Sequence, residues 1–204
     1  FFRELGIAPP AWNLGIGGGS HGAMTGAQLA AIEAILVAEK PDAVLLYGDT
    51  NSTLSGALAA AKLNIPVAHV EAGLRSFNRR MPEEINRLVT DAISDWFFVT
   101  EPSGEENLLR EGKPRSRVHH VGHVMVDNLL YQCRILATRQ LSSGPAADWR
   151  ATNARYGVVT LHRPSNVDDA STFRRIAGAL RRISELLPLV FPVHPRTSAN
   201  MEKF

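Results

Sequence analysis

Short apolar runs that stop abruptly on ionisable side chains recur along this chain, alternating with helical segments. Residues 43–50, AVLLYGDT, run straight into Gly48 and Asp49. One unit later PVAHVEAGLRS, 66–76, does the same at Glu71, ahead of Gly73 and Arg75. Continuous apolar runs of this length mark strands buried on both faces. Strands alternating with helices predict a parallel sheet with right-handed crossovers, hence an α/β fold. In such sheets ligands bind at the carboxyl edge of the strands. Two carboxylates on one edge point to proton-transfer chemistry.

The pattern predicts helices over 21–39, 51–63, 83–93, 102–111 and 124–139, and strands over 43–47, 66–70, 96–99 and 117–121. Apolar periodicity at Leu29, Ile32, Ile35 and Leu36 supports the first helix, which Pro41 ends. The stretch Leu141–Ala154 is polar and small, and it reads as a linker. A second βα pattern follows it: strand 157–161, helix 168–187, strand 188–193. The expected organisation is a first domain over 1–140, a linker over 141–154 and the start of a second domain over 155–204.

Composition removes several function classes. The chain has 204 residues, of which 45% are hydrophobic and 21% charged, enough for a sizeable core. Net charge is only +2, and the basic residues are scattered except for Arg174–Arg175 and Arg181–Arg182. That leaves no basic face for nucleic acid. A single cysteine, Cys133, excludes a disulfide framework and is expected as a packed thiol in an apolar helix. No apolar run is read as approaching the ~20 residues of a membrane span. No leader pattern is visible, so the expected compartment is the cytoplasm. Gly17-Gly18-Gly19 lacks the spacing of a phosphate-binding fingerprint and reads as a loop.

Candidate chemistry follows the strand ends. Asp49 also suits a helix N-cap, and Thr100-Glu101 is better read as a cap. Glu71 lies among residues expected to be buried, where a carboxylate is costly unless paired, with Arg75 as a structural partner to exclude. Pro82 with Glu83 and Glu84 fits an ordinary helix start, and Glu84 and Arg87 are spaced to pair. His162 and His194 end strands of the second pattern, with Arg163 and Arg196 nearby. Together they suit an anionic ligand such as a diphosphate. They make a poor metal site, since no cysteine or clustered carboxylate accompanies them.

These segments resemble the non-hydrolysing UDP-N-acetylglucosamine 2-epimerases. The resemblance is carried by YGDTNST (47–53), PVAHVEAGLRS (66–76), PEEINR (82–87), VGHVMVDNLL (121–130), TLHRPSNVDD (160–169) and PVHPRT (192–197). It implies two Rossmann-like domains facing across a cleft, as in glycosyltransferase B folds, with the second domain incomplete. It implies interconversion of UDP-N-acetylglucosamine and UDP-N-acetylmannosamine, for cell-surface polysaccharide synthesis, with no added cofactor. C2 is deprotonated, UDP leaves, and both return with the opposite C2 configuration. Asp49, Glu71, Glu83 and His162 match the family's catalytic positions. Asp49, Glu71, His162, Arg163 and His194 match substrate-binding ones. Ser165 departs from a glutamate found in many members. The resemblance also implies a first strand and basic phosphate loop before Phe1, and a nucleotide-binding half after Phe204. The chain therefore reads as a piece, expected to be inactive and aggregation-prone alone, of a protein for which a homodimer stays open. Other readings are a glycosyltransferase B-type enzyme, a hydrolysing 2-epimerase, and an inactive sugar-nucleotide-binding protein.

Overall fold

The computed structural model describes residues 6–138 and 144–204. It is α/β, and the chain divides into two compact units, Phe1–Cys133 and Arg134–Phe204.

The first unit holds four strands in one parallel sheet, ordered β1-β2-β3-β4: Val44–Tyr47, Val67–Val70, Trp96–Val99 and Val118–His120. Register pairs Tyr47 with Val70, Val70 with Phe98 and Phe98 with His119. All four strands therefore end at one edge. Helices α1 (His21–Glu39), α2 (Asn51–Lys62), α3 (Pro82–Ile93), α4 (Pro102–Arg110) and α5 (Val124–Thr138) connect and flank them. The predicted elements of this unit match within one residue or so at each end.

Small residues set how closely the layers meet. Ala57, Ala59 and Ala60 of α2 are fully buried with Leu36 of α1 and Val67 of β2. A Cβ on Gly56 would lie 2.8 Å from the Leu46 side chain. Helix α2 can lie this close to the sheet only because its inner face is glycine and alanine. A second core cluster joins Ala72, Phe97, Val99 and Leu108.

Two expectations need correction. Helix α1 is, by its 19-residue length and composition alone, apolar enough to cross a membrane. Alanine and glycine fill most of the positions between its large apolar residues, which keeps the charge low over its whole length. Its Leu29, Ile32 and Leu36 pack against the α2 alanines, as in a sheet-flanking helix. Cys133 is exposed, not packed, because α5 contributes no buried residue. The competing reading of Asp49 as a helix cap does not hold, since the Thr50 side chain caps α2, accepting from the Thr53 amide.

In the second unit the strands are shorter than expected. Among the described residues only Gly157–Val158 (β5) and Leu189–Val190 (β6) pair there, in parallel. Pro188 and Pro192 flank β6 and lack the amide a ladder needs. The expected helix 168–187 is α8, Ala170–Ser184, capped by Asp169; a short turn of helix, α7 (Pro164–Val167), precedes it. Of the stretch expected as a linker, 141–143 lie outside the described residues. Pro145–Thr152 forms helix α6, and Trp149 packs edge-on against Tyr156 with ring centroids 5.1 Å apart. Helix α9 covers Pro195–Met201.

Candidate active site

The ends of β1 and β2 bring Asp49 and Glu71 to neighbouring positions on the sheet edge, since Tyr47 pairs with Val70. The Gly48 amide donates to the Val70 carbonyl. A Cβ on Gly48 would lie 3.5 Å from Glu71 Oε2. Glu71 holds φ at +69°, a left-handed conformation that few non-glycine residues adopt. Such backbone strain persists where surrounding structure enforces it, and it clusters at functional sites. Among the described residues the Glu71 carboxylate has no hydrogen-bond or ion-pair partner. Arg75 does not pair with it. That guanidinium grips Glu111 through two nitrogens, at 2.8 and 2.6 Å, and Asp91 at 2.7 Å.

Helices α1, α2 and α3 supply the rest of the first unit's site. Asp49 and Glu83 line one cavity of about 370 Å³, together with His21, Gln28, Asn51 and Asn86. Arg87 bridges two carboxylates, Asp49 and Glu84. Asn86 donates to the Asp49 carbonyl at 2.9 Å, fixing the backbone of that turn. A chain of amides continues outward, from Asn86 to Asn51 at 3.2 Å and from Asn51 to His21 at 3.1 Å. Gln28 is buried and donates to the Ile16 carbonyl, yet its Oε1 finds no partner among the described residues.

Glu83 and Glu84 are neighbours in sequence with opposite settings. Glu83 reaches the cavity, whereas Glu84 is 1% exposed. Burial alone would raise the Glu84 pKa. Hydrogen bonds from the Ser76 amide, Arg87, the Ser76 hydroxyl and the Phe77 amide outweigh it and hold the pKa at about 2. Glu84 thus pins the 76–77 turn to the start of α3.

Behind the strand ends lies a buried ionic cluster that sequence reasoning missed. His69 of β2 and Asp91 of α3 have fully buried side chains and meet at 2.7 Å. The other His69 nitrogen faces the Gly48 carbonyl at 2.8 Å. Asp91 also accepts from the Gly73 amide at 3.0 Å. Burial pushes the Asp91 carboxyl up, but the His69 hydrogen bond and the His69 and Arg75 charges prevail and hold it below the usual range. The signal was a histidine inside an apolar strand, read only as part of that strand.

In the second unit His162 and His194 come together, with ring centroids 5.8 Å apart, and both are exposed. His194 caps α9, accepting from the Arg196 amide. Arg163 is exposed at the start of α7. Arg196 is engaged by Asp168 at 3.0 Å. Among the described residues no group of three or more His, Cys, Asp or Glu is placed to hold a metal ion.

The family model described as UDP-N-acetylglucosamine 2-epimerase matches residues 1–204.

The chain belongs to the UDP-N-acetylglucosamine 2-epimerase family.

It is 47% identical over 204 residues to a UDP-N-acetylglucosamine 2-epimerase homolog of Methanococcus maripaludis, covering all of this chain and 56% of that protein. It is 46% identical to the UDP-2,3-diacetamido-2,3-dideoxy-D-glucuronate 2-epimerase of Pseudomonas aeruginosa, over all of this chain and 56% of that one. Among solved structures, the UDP-GlcNAc 2-epimerase of Methanocaldococcus jannaschii, in complex with UDP-GlcNAc and UDP, superposes with a TM-score of 0.89. It is 43% identical, and the match covers 100% of this chain and 56% of that one. The Neisseria meningitidis enzyme bound to UDP-GlcNAc gives 0.84 at 26% identity, covering 99% and 57%. The chain thus spans a little over half the length of the family members it matches.

Proposed function

We propose that the protein carrying this chain interconverts UDP-N-acetylglucosamine and UDP-N-acetylmannosamine, with two Rossmann-like domains facing across the reaction cleft. The observation that carries this reading is local. In a member of this family, Asp49 and Glu83 open on one cavity, and the Glu71 carboxylate, without a partner among the described residues, stands beside Gly48.

The reaction needs a group that takes the C2 proton while the C1–O bond to the diphosphate breaks. It also needs a group that returns a proton on the opposite face. Glu71, with no cation paired to it among the described residues, suits proton transfer. Asp49, ion-paired to Arg87, is fixed in place and offers a carboxylate of set orientation. Glu83 approaches from the α3 start. His162, Arg163 and His194 suit the departing diphosphate, whose charge they would offset.

A second reading keeps the chemistry and changes the sugar, favoured by the 46% identity to the diacetamido-glucuronate enzyme. Incubation with each UDP-sugar in deuterated water separates the outcomes. Deuterium at C2 of epimerised product is expected for the true substrate. Sugar transfer without exchange indicates a glycosyltransferase. Free N-acetylmannosamine with UDP indicates a hydrolysing enzyme, and binding without exchange an inactive binder.

A further inference from the structure

We propose that His69 and Asp91 are positioning residues for this reaction, holding the turns that carry Asp49 and Glu71 at a fixed separation. The proposal rests on the epimerase reading above. Neither side chain reaches the cavity; both are wholly enclosed. What they grip is backbone on either side of the site.

His69 Nε2 donates to the carbonyl of Gly48, the residue before Asp49. His69 Nδ1 faces Asp91 Oδ1. Asp91 Oδ2 takes the amide of Gly73, two residues beyond Glu71. One unbroken chain of hydrogen bonds therefore links the Asp49 turn to the Glu71 turn. Both His69 nitrogens meet oxygens, Asp91 Oδ1 on one side and the Gly48 carbonyl on the other, so the ring is held from both ends.

A buried histidine, aspartate and arginine are a poor way to gain stability, since packed apolar side chains of similar volume do as well or better. The same groups are a good way to fix geometry. A bidentate carboxylate admits only one arrangement of its donors, and every bond here is enclosed. Displacing a catalytic group by ~1 Å can cost ~10²-fold in rate. Arg75 and Glu111 extend the cluster away from the Gly48 side, where Glu111 is far more exposed than Asp91.

The test uses the active enzyme that carries this chain, with Asp91→Asn, His69→Gln and, as control, Glu111→Gln. Folding is verified by circular dichroism. For Asp91→Asn and His69→Gln, kcat and C2 deuterium exchange should fall ~10²-fold while KM stays near wild type. Glu111→Gln, which disturbs Arg75 but leaves the Gly48–His69–Asp91–Gly73 chain, should keep wild-type kcat. Wild-type kcat in folded Asp91→Asn overturns the proposal, as does an equal loss in Glu111→Gln. If both replacements fail to fold, hydrogen exchange in the unaltered enzyme decides. The Gly73 amide, held by Asp91, is expected to be strongly protected, and rapid exchange there breaks the chain and the proposal. A wild-type protein without exchange on either UDP-sugar instead refutes the epimerase reading, a distinct result.

Discussion

Glu71 and Glu84 show how much a carboxylate's role depends on what surrounds it. Glu71 stands at φ +69° with no partner among the described residues, whereas Glu84 is enclosed by three donors and Arg87. Replacing Glu71 by Gln preserves shape and most hydrogen-bonding capacity. The folded variant is expected to lose C2 exchange by at least ~10²-fold, the typical contribution of an acid/base group. Deuterium incorporation followed by mass spectrometry reads the loss, and wild-type exchange would return Glu71 to a structural role. Glu84 carries a different expectation. Its pKa near 2 in the folded protein lies below its ordinary value of 4.5. Between those values the unfolded chain binds a proton the folded protein does not, so stability falls as pH falls through that window. Urea midpoints of wild type and Glu84→Gln should differ most above pH 4.5 and converge toward pH 2. A constant difference across that range would show that the Glu84 charge contributes nothing.

The β2–α3 connection is the element on which the first unit's site hangs. Gly73 sits at φ +78°, and a Cβ there would lie 2.2 Å from the Gly104 carbonyl oxygen at the start of α4. Backbone meets backbone, so no side chain can yield. Gly73→Ala should therefore destabilise the protein by at least ~2 kcal/mol, combining a strained φ with overpacking. Equilibrium denaturation measures it, and a loss below ~0.5 kcal/mol would mean the loop re-forms elsewhere. The elements themselves were legible in the sequence. Apolar periodicity and capping residues placed α1 to α5 and β1 to β4 closely, because those signals are local. The short β5 and β6 were over-read. Apolar content extended the runs to 161 and 193, but Pro188 and Pro192 limit the ladder around β6.

For the molecule as a whole, the two units differ sharply in core. In the second unit only Val167, Phe173 and Thr197 are buried among the described residues. The first buries Ala57, Ala59, Ala60, Val67, Phe97, Val99 and Leu108 completely. A segment of this size with so few buried side chains rarely folds by itself. Residues 134–204 expressed alone should melt without a cooperative transition, while 1–133 should unfold cooperatively. Calorimetry distinguishes them, and a sharp transition in the 134–204 piece would refute the expectation.

The sequence by itself determined the α/β class, the strand ends at Asp49 and Glu71, and the family. These rest on period, composition and motif order, all readable along one dimension. Only the tertiary structure decided which carboxylates are tied down, and by what. Arg75 was the obvious partner for Glu71 four residues away, yet it turns to Asp91 and Glu111, sixteen and thirty-six residues on. Arg87, read as a local partner of Glu84, also clamps Asp49 thirty-eight residues back. His69 meets Asp91 across twenty-two residues inside the core. Pairing between distant charges follows from burial and packing of the sheet against α3, and those become fixed only when the chain has folded.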